Sequence, residues 1–99
     1  MPTPEENHEI ALDESSDRED RERAINQLEA ANECDMLADL VRSDGLEDAL
    51  RKQAFESLAH PQCKPTLETL VENGEVPEAF EGDGRTLLEQ TPDDAGAGP

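Results

Sequence analysis

An all-α fold of stacked helical hairpins is predicted by three observations. Between Arg21 and Val76 the chain matches itself at a shift of about 30 residues, pairing Arg21/Arg51, Ala24/Ala54, Leu28/Leu58, Leu37/Leu67, Leu40/Leu70 and Val41/Val71. Ile25/Phe55 and Leu46/Val76 are further apolar pairs in the same ungapped frame. Within each copy the apolar residues recur at helical, not alternating, spacing. The matched positions are nearly all aliphatic, so what recurs is a packing surface, and a period of this length belongs to stacked-repeat architectures.

Element by element, Met1 to Ser15 reads as a disordered acidic tail, because Pro2 and Pro4 oppose regular structure and Ile10, Ala11 and Leu12 are the only apolar cluster. A first helix is expected from Ser16, with Ser16 and Glu19 as a capping box and Ala24, Ile25, Leu28 and Ala31 on one stripe. Asn32 is expected to cap a second helix carrying Met36, Leu37, Leu40 and Val41, which ends at Ser43-Asp44-Gly45. Asp44, answered by Glu47, would cap a third helix with Leu50, Ala54, Phe55 and Leu58 inward. His60-Pro61 stops it. A fourth helix is expected from Pro65, proline being favoured at a first helical position. It carries Leu67, Leu70 and Val71 and stops at Asn73-Gly74. The two hairpins thus span about 16–45 and 46–76. Residues 77–90 form a short capping segment in which Pro77 opens a turn, Gly82-Asp83-Gly84 breaks it, and Arg85 to Gln90 makes a last helix. Residues 91–99 read as a disordered tail.

Composition sets the environment. Asp and Glu number 26 against 8 Lys and Arg, for a formal charge of −18. Residues 1–20 hold eight acidic groups and one arginine, residues 21–76 twelve acidic and six basic, and residues 77–99 six acidic and one arginine. The charge excess is therefore concentrated toward the ends, and the aliphatic periodicity in the middle. Self-repulsion opposes compaction, and salt relieves it, the Debye length falling to about 3 Å at 1 M. With two lysines, two phenylalanines and abundant carboxylates, the composition resembles that of cytoplasmic proteins of salt-accumulating haloarchaea. No apolar run approaches a membrane span, and the N-terminal stretch shows neither a basic start nor an apolar core of a secretory signal. A cytoplasmic location with reduced thiols is the expectation.

The units Arg21-x-x-Ala24-x-x-x-Leu28 and Arg51-x-x-Ala54-x-x-x-Leu58, followed by Leu37-x-x-Leu40-Val41 and Leu67-x-x-Leu70-Val71, resemble HEAT-like repeats of the short class named after the phycobilisome lyase subunits. The resemblance covers residues 17–76 and implies a two-hairpin α-solenoid whose seam is Ala24, Leu28, Leu37, Leu40, Val41, Ala54, Phe55, Leu58, Leu67, Leu70 and Val71. Typical members carry more units, so the C-terminal segment or a second chain would complete the stack. The family fold serves mainly for recognition, and no lyase activity is implied.

Chemistry-bearing spacings are few. His60-Pro-Gln-Cys63 with Cys34 and His8 has the ligand types of a zinc site. In the repeat frame, however, Cys34 and Cys63 start neighbouring helices, which stack about 8–10 Å apart. That separation also argues against a Cys34–Cys63 disulfide, so neither metal nor cofactor is expected. Carboxylate pairs are too common here to mark an acid–base site, which needs a desolvated, shifted group in a cleft. No phosphate loop, nucleophile elbow or HExxH is present, and the expected protein is not an enzyme. Direct nucleic-acid binding, which rests on Lys and Arg, is excluded by the sign of the charge.

The function expected is that of a protein-interaction module in a halophile cytoplasm. It would bind through the face of the second helices, with Asp35, Asp39, Arg42, Glu68 and Glu72 as contact residues. The partner would be another protein with a basic surface, steered by opposite potentials, and a homodimer is the alternative assembly. Two further readings remain open. One is an acidic nucleic-acid mimic that covers a basic protein surface. The other is a disordered acidic chain that folds on its partner.

Overall fold

The computed structural model describes residues 2–92. Among them every regular element is helical: α1 (Pro4–Leu12), α2 (Arg18–Ala30), α3 (Cys34–Arg42), α4 (Asp48–Glu56), α5 (Lys64–Glu72), a 3-10 turn (Glu78–Phe80) and α6 (Glu81–Gln90). The expected tail at residues 1–15 is thus replaced by a helix. Thr3 caps it, accepting from the Glu6 N–H at 3.2 Å while Glu6 Oε1 accepts from the Thr3 N–H at 3.0 Å. Pro4 opens that helix instead of forbidding it, because the first-turn N–H it lacks would have no helical partner anyway. Residues 93–99, expected to be a disordered tail, lie outside the described residues.

The other boundaries differ from expectation for local reasons. Asp17, not Ser16, stands at the N-cap of α2. The Ser16 hydroxyl donates instead to Asp13 Oδ2 at 3.2 Å. Asn32 ends α2 instead of starting α3. At φ 57° it takes the left-handed conformation, with the Glu33 N–H reaching Leu28 O at 3.0 Å and its own N–H reaching Glu29 O at 3.0 Å, the Schellman arrangement. Ala31, just past that end, is exposed rather than part of the apolar stripe. Gly74 terminates α5 in the same way at φ 68°, as expected. Helix α4 starts after Glu47, without the Asp44 cap. Pro65 is the second residue of α5, after Lys64. Gly82-Asp83-Gly84 does not break the C-terminal segment but lies inside α6. Gly84 is buried there, and a Cβ on it would sit 3.3 Å from Phe55 Cζ and 3.4 Å from Val71 Cγ2. In the frame of the sequence match, position 84 corresponds to Ala24 and Ala54, where α2 and α4 also carry a small, buried residue.

The helix bounds recur at a spacing of 30 residues. Helices α1, α3 and α5 span 4–12, 34–42 and 64–72, while α2 and α4 begin at 18 and 48. The helices packed most extensively are α1 on α2 and α3 on α4; α5 packs on α6. The most extensively packed pairs are thus one helix out of step with the expected units 16–45 and 46–76, whose helices α2 and α3 also touch. Of the expected seam, Ala24, Leu28, Leu37, Leu40, Val41, Ala54, Phe55, Leu58, Leu67 and Leu70 are buried, and Val71 is partly buried. Ile25, Leu46, Leu50, Val76 and Phe80 join them in one core. At the N-terminal end the position equivalent to Leu37 and Leu67 is Asn7, buried and donating to Gln27 Oε1 at 3.0 Å. A polar pair thus occupies that seam position.

The recurring arginine has a structural task. Arg21 Nε donates to Ala11 O at 3.0 Å, and Arg51 Nε donates to Val41 O at 2.8 Å. Each ties the last turn of one helix to the first turn of the next, where free carbonyls and the negative helix end favour a cation. The Arg51 side chain is only 12 % exposed. Arg51→Leu is expected to lower stability by about 2 kcal/mol, the range of hydrogen bonds to charged groups. Urea unfolding in molar potassium chloride measures this, and a midpoint equal to wild type would show that the tie contributes nothing.

Candidate binding surface

Helices α1, α3 and α5 lie side by side, α1 against α3 and α3 against α5. They carry seven carboxylates against Arg42 and Lys64, whereas six of the eight Lys and Arg residues sit on α2, α4 and α6. The acidic residues therefore dominate one layer, while the other is mixed and laced with its own pairs: Arg18 with Glu22 and Glu47, Arg23 with Asp20, and Lys52 with Asp83.

The expected contact residues fall within this acidic layer in two groups. Asp35 and Glu72 are exposed and Glu68 is half-buried, and none of the three forms an ion pair among the described residues. Asp39 and Arg42 are already engaged. His8 Nε2 lies 3.0 Å from Asp39 Oδ2, joining α1 to α3. Arg42 donates from Nε to Glu75 Oε2 at 2.8 Å and from a terminal nitrogen to Glu75 Oε1 at 3.3 Å. This two-pronged pair ties α3 to the segment after α5, and the hydrogen bond from Arg42 holds the Glu75 carboxyl below its ordinary range. The layer's arginine and its histidine thus bridge neighbouring helices.

Two residues of the surface were not read from sequence. Glu5 and Glu9 of α1 are exposed and stand 30 residues before Asp35 and Asp39. Carrying the 30-residue shift one step toward the N-terminus, from Asp35 and Asp39, would have found both.

Two other carboxyls have lowered pKa values from local hydrogen bonding. Glu6 is held down by Thr3 and Asp13 chiefly by Ser15, so both serve helix ends and turns. The surface recesses are shallow. One of about 180 Å³ is lined by Asn7, Ile10, Asp20, Arg23, Ala24 and Gln27 among others, and another of about 190 Å³ lies by Lys52, Phe55 and Asp83. Neither gathers groups with shifted pKa values.

The cysteines overturn an expectation. Cys34 and Cys63 are joined in a disulfide with their Cα atoms 5.4 Å apart. The 8–10 Å estimate applied to helix axes, but these residues sit at the helix starts. The turn from Ser57 to Cys63 brings Cys63, at the N-cap of α5, onto the first residue of α3. Among the described residues no three His, Cys, Asp or Glu side chains are placed to hold a metal. His60, from the same spacing, has its Nε2 buried with no hydrogen-bond partner.

Among the described residues every regular element is helical, one helical layer is predominantly acidic, and no helix is long and apolar enough to cross a membrane. No family model, curated protein or solved structure matches the chain.

Proposed function

We propose that this chain is a non-enzymatic recognition module, built as stacked HEAT-like helical hairpins and working in a salt-rich cytoplasm. It binds a basic protein surface across α1, α3 and α5. The supporting observation is the row Glu5, Glu9, Asp35, Glu68 and Glu72, which has no ion-pairing partner among the described residues while Arg42 and His8 are held by neighbouring helices. Carboxylates spread over the three helices of one layer present a negative surface, and opposite potentials raise encounter rates and fix orientation. The small inward residues Ala24, Ala54 and Gly84 let the other layer close behind it.

A lysine-rich helical peptide titrated at two salt concentrations tests the face. Reversing Asp35, Glu68 and Glu72 to lysine is expected to weaken binding about tenfold or more, since like charges across an interface repel. Reversing Glu29, Glu56 and Glu89 on the other layer is expected to change it less than threefold by comparison, as for charges outside a contact. Equal losses from both sets would remove the face and favour the second reading, an acidic mimic that acts through its net charge of −18.

A further inference from the structure

We propose that the Cys34–Cys63 bond is an exchangeable clasp, opened by a dithiol reductant through attack at Cys34. The bond joins the starts of α3 and α5, two neighbours in the acidic layer. Its two ends differ in access. Cys63 is fully buried, whereas Cys34 is part-exposed. An incoming thiolate therefore reaches the Cys34 sulfur, and Cys63 is the leaving group. Exchange is fastest when the leaving thiolate is stabilised. Cys63 stands at the N-cap of α5, where the helix dipole favours negative charge, although Pro65 at the second helical position supplies no N–H. The Cys63 side chain makes no capping hydrogen bond in the closed form, so the released sulfur can accept from the N–H of Thr66, the third helical residue.

The electrons and protons balance as follows. A thiolate of the reductant forms a bond to Cys34 Sγ, the Cys34–Cys63 bond breaks, and Cys63 leaves as a thiolate that takes up a proton. The second thiol of the reductant then attacks its own sulfur in the mixed disulfide and releases Cys34. The protein has gained two electrons and two protons, and the reductant has become a disulfide. At the far end of the same helices, the Arg42–Glu75 pair still ties α3 to the residues following α5. Opening the clasp thus frees one end of the α3–α5 contact and leaves the other tied. In a reducing cytoplasm, disulfides are characteristically transient or redox-sensing.

The full chain, oxidised and in molar potassium chloride, is treated with glutathione as a monothiol probe, quenched in acid and mapped by mass spectrometry. The glutathione adduct is expected on Cys34 about tenfold more often than on Cys63, and the native protein is expected to react within about 100-fold of the urea-unfolded chain. An adduct shared equally or found mainly on Cys63 would overturn the assignment of the attacked sulfur. A native rate slower than that limit would show that the bond reacts only after global unfolding, which makes it a fixed structural crosslink and not a clasp. Neither readout depends on what the acidic layer binds.

Discussion

Phe55→Ala is expected to lower the unfolding free energy by about 3–5 kcal/mol, the cost of truncating a buried aromatic ring. The reason is placement. Phe55 is 1 % exposed, its ring centroid lies 5.5 Å from that of Phe80, and the backbone of Gly84 approaches its ring closely enough that an added Cβ would be crowded. The protein's two aromatic residues thus meet where α4 receives the C-terminal segment. The small residue at position 84 brings α6 close enough for the ring to fill the joint. Removing the ring leaves a cavity bounded by α4, α5 and α6, which a helix held by a 3-10 turn cannot readily collapse into. A domain of this size has about 5–15 kcal/mol in total, so the variant should approach the limit of folding. Urea titration in molar potassium chloride should show a lower midpoint with an unchanged slope. A loss under about 1 kcal/mol, the level of a surface substitution, would mean that the C-terminal segment does not pack on α4 as described.

The contrast between what could be read from sequence and what could not has a common physical root. Leu37/Leu67 and Leu40/Leu70 were visible because both copies keep the same buried aliphatic residues. Helix α1 was missed because its inward face is less aliphatic. At the equivalent positions it carries Asn7, Ile10 and Ala11, of which Asn7 is satisfied by Gln27 rather than by apolar packing. The pattern that names the seam is broken where a polar pair stands in place of the leucine. Its capping box was legible, since Thr3 and Glu6 stand three apart ahead of a helix, but Pro2 and Pro4 were weighed as breakers when proline at the first helical turn is a start signal. Gly82 and Gly84 misled for a related reason: at position 84 glycine reflects a close approach to Phe55, a tertiary fact that local propensity cannot report.

The candidate surface divides in the same way. Asp35, Glu68 and Glu72 were identifiable as outward positions because helical phase places them opposite Leu37, Leu67 and Leu70. Which carboxylates are engaged by neighbours was not identifiable, because His8–Asp39 and Arg42–Glu75 join residues 31 and 33 apart in sequence. The disulfide was hidden for the same cause. Helix-axis spacing is a fair guide for mid-helix residues, but Cys34 and Cys63 occupy helix starts, where the turn between Ser57 and Cys63 sets the distance.

Removing that crosslink should produce the second large effect. The cysteines are 29 residues apart, and closing a loop of about that length lowers the unfolded chain's entropy by the equivalent of about 3–4 kcal/mol at room temperature. The loss falls on a chain whose charge of −18 already opposes compaction. Screening decides how much of the remainder survives, because the Debye length is about 10 Å at 0.1 M salt and about 3 Å at 1 M. The reduced protein, and the Cys34→Ser/Cys63→Ala variant, should therefore stay helical in molar potassium chloride and lose most helical signal near 0.1 M. The oxidised protein should remain helical at both concentrations. Circular dichroism across a salt series gives the two midpoints, and the variant separates loss of the bond from any direct effect of the reductant. Coincident salt midpoints for oxidised and reduced protein would mean that the bond does not restrain the unfolded chain. Parallel loss of helix at 0.1 M with the bond intact would instead place the deficit in charge repulsion alone.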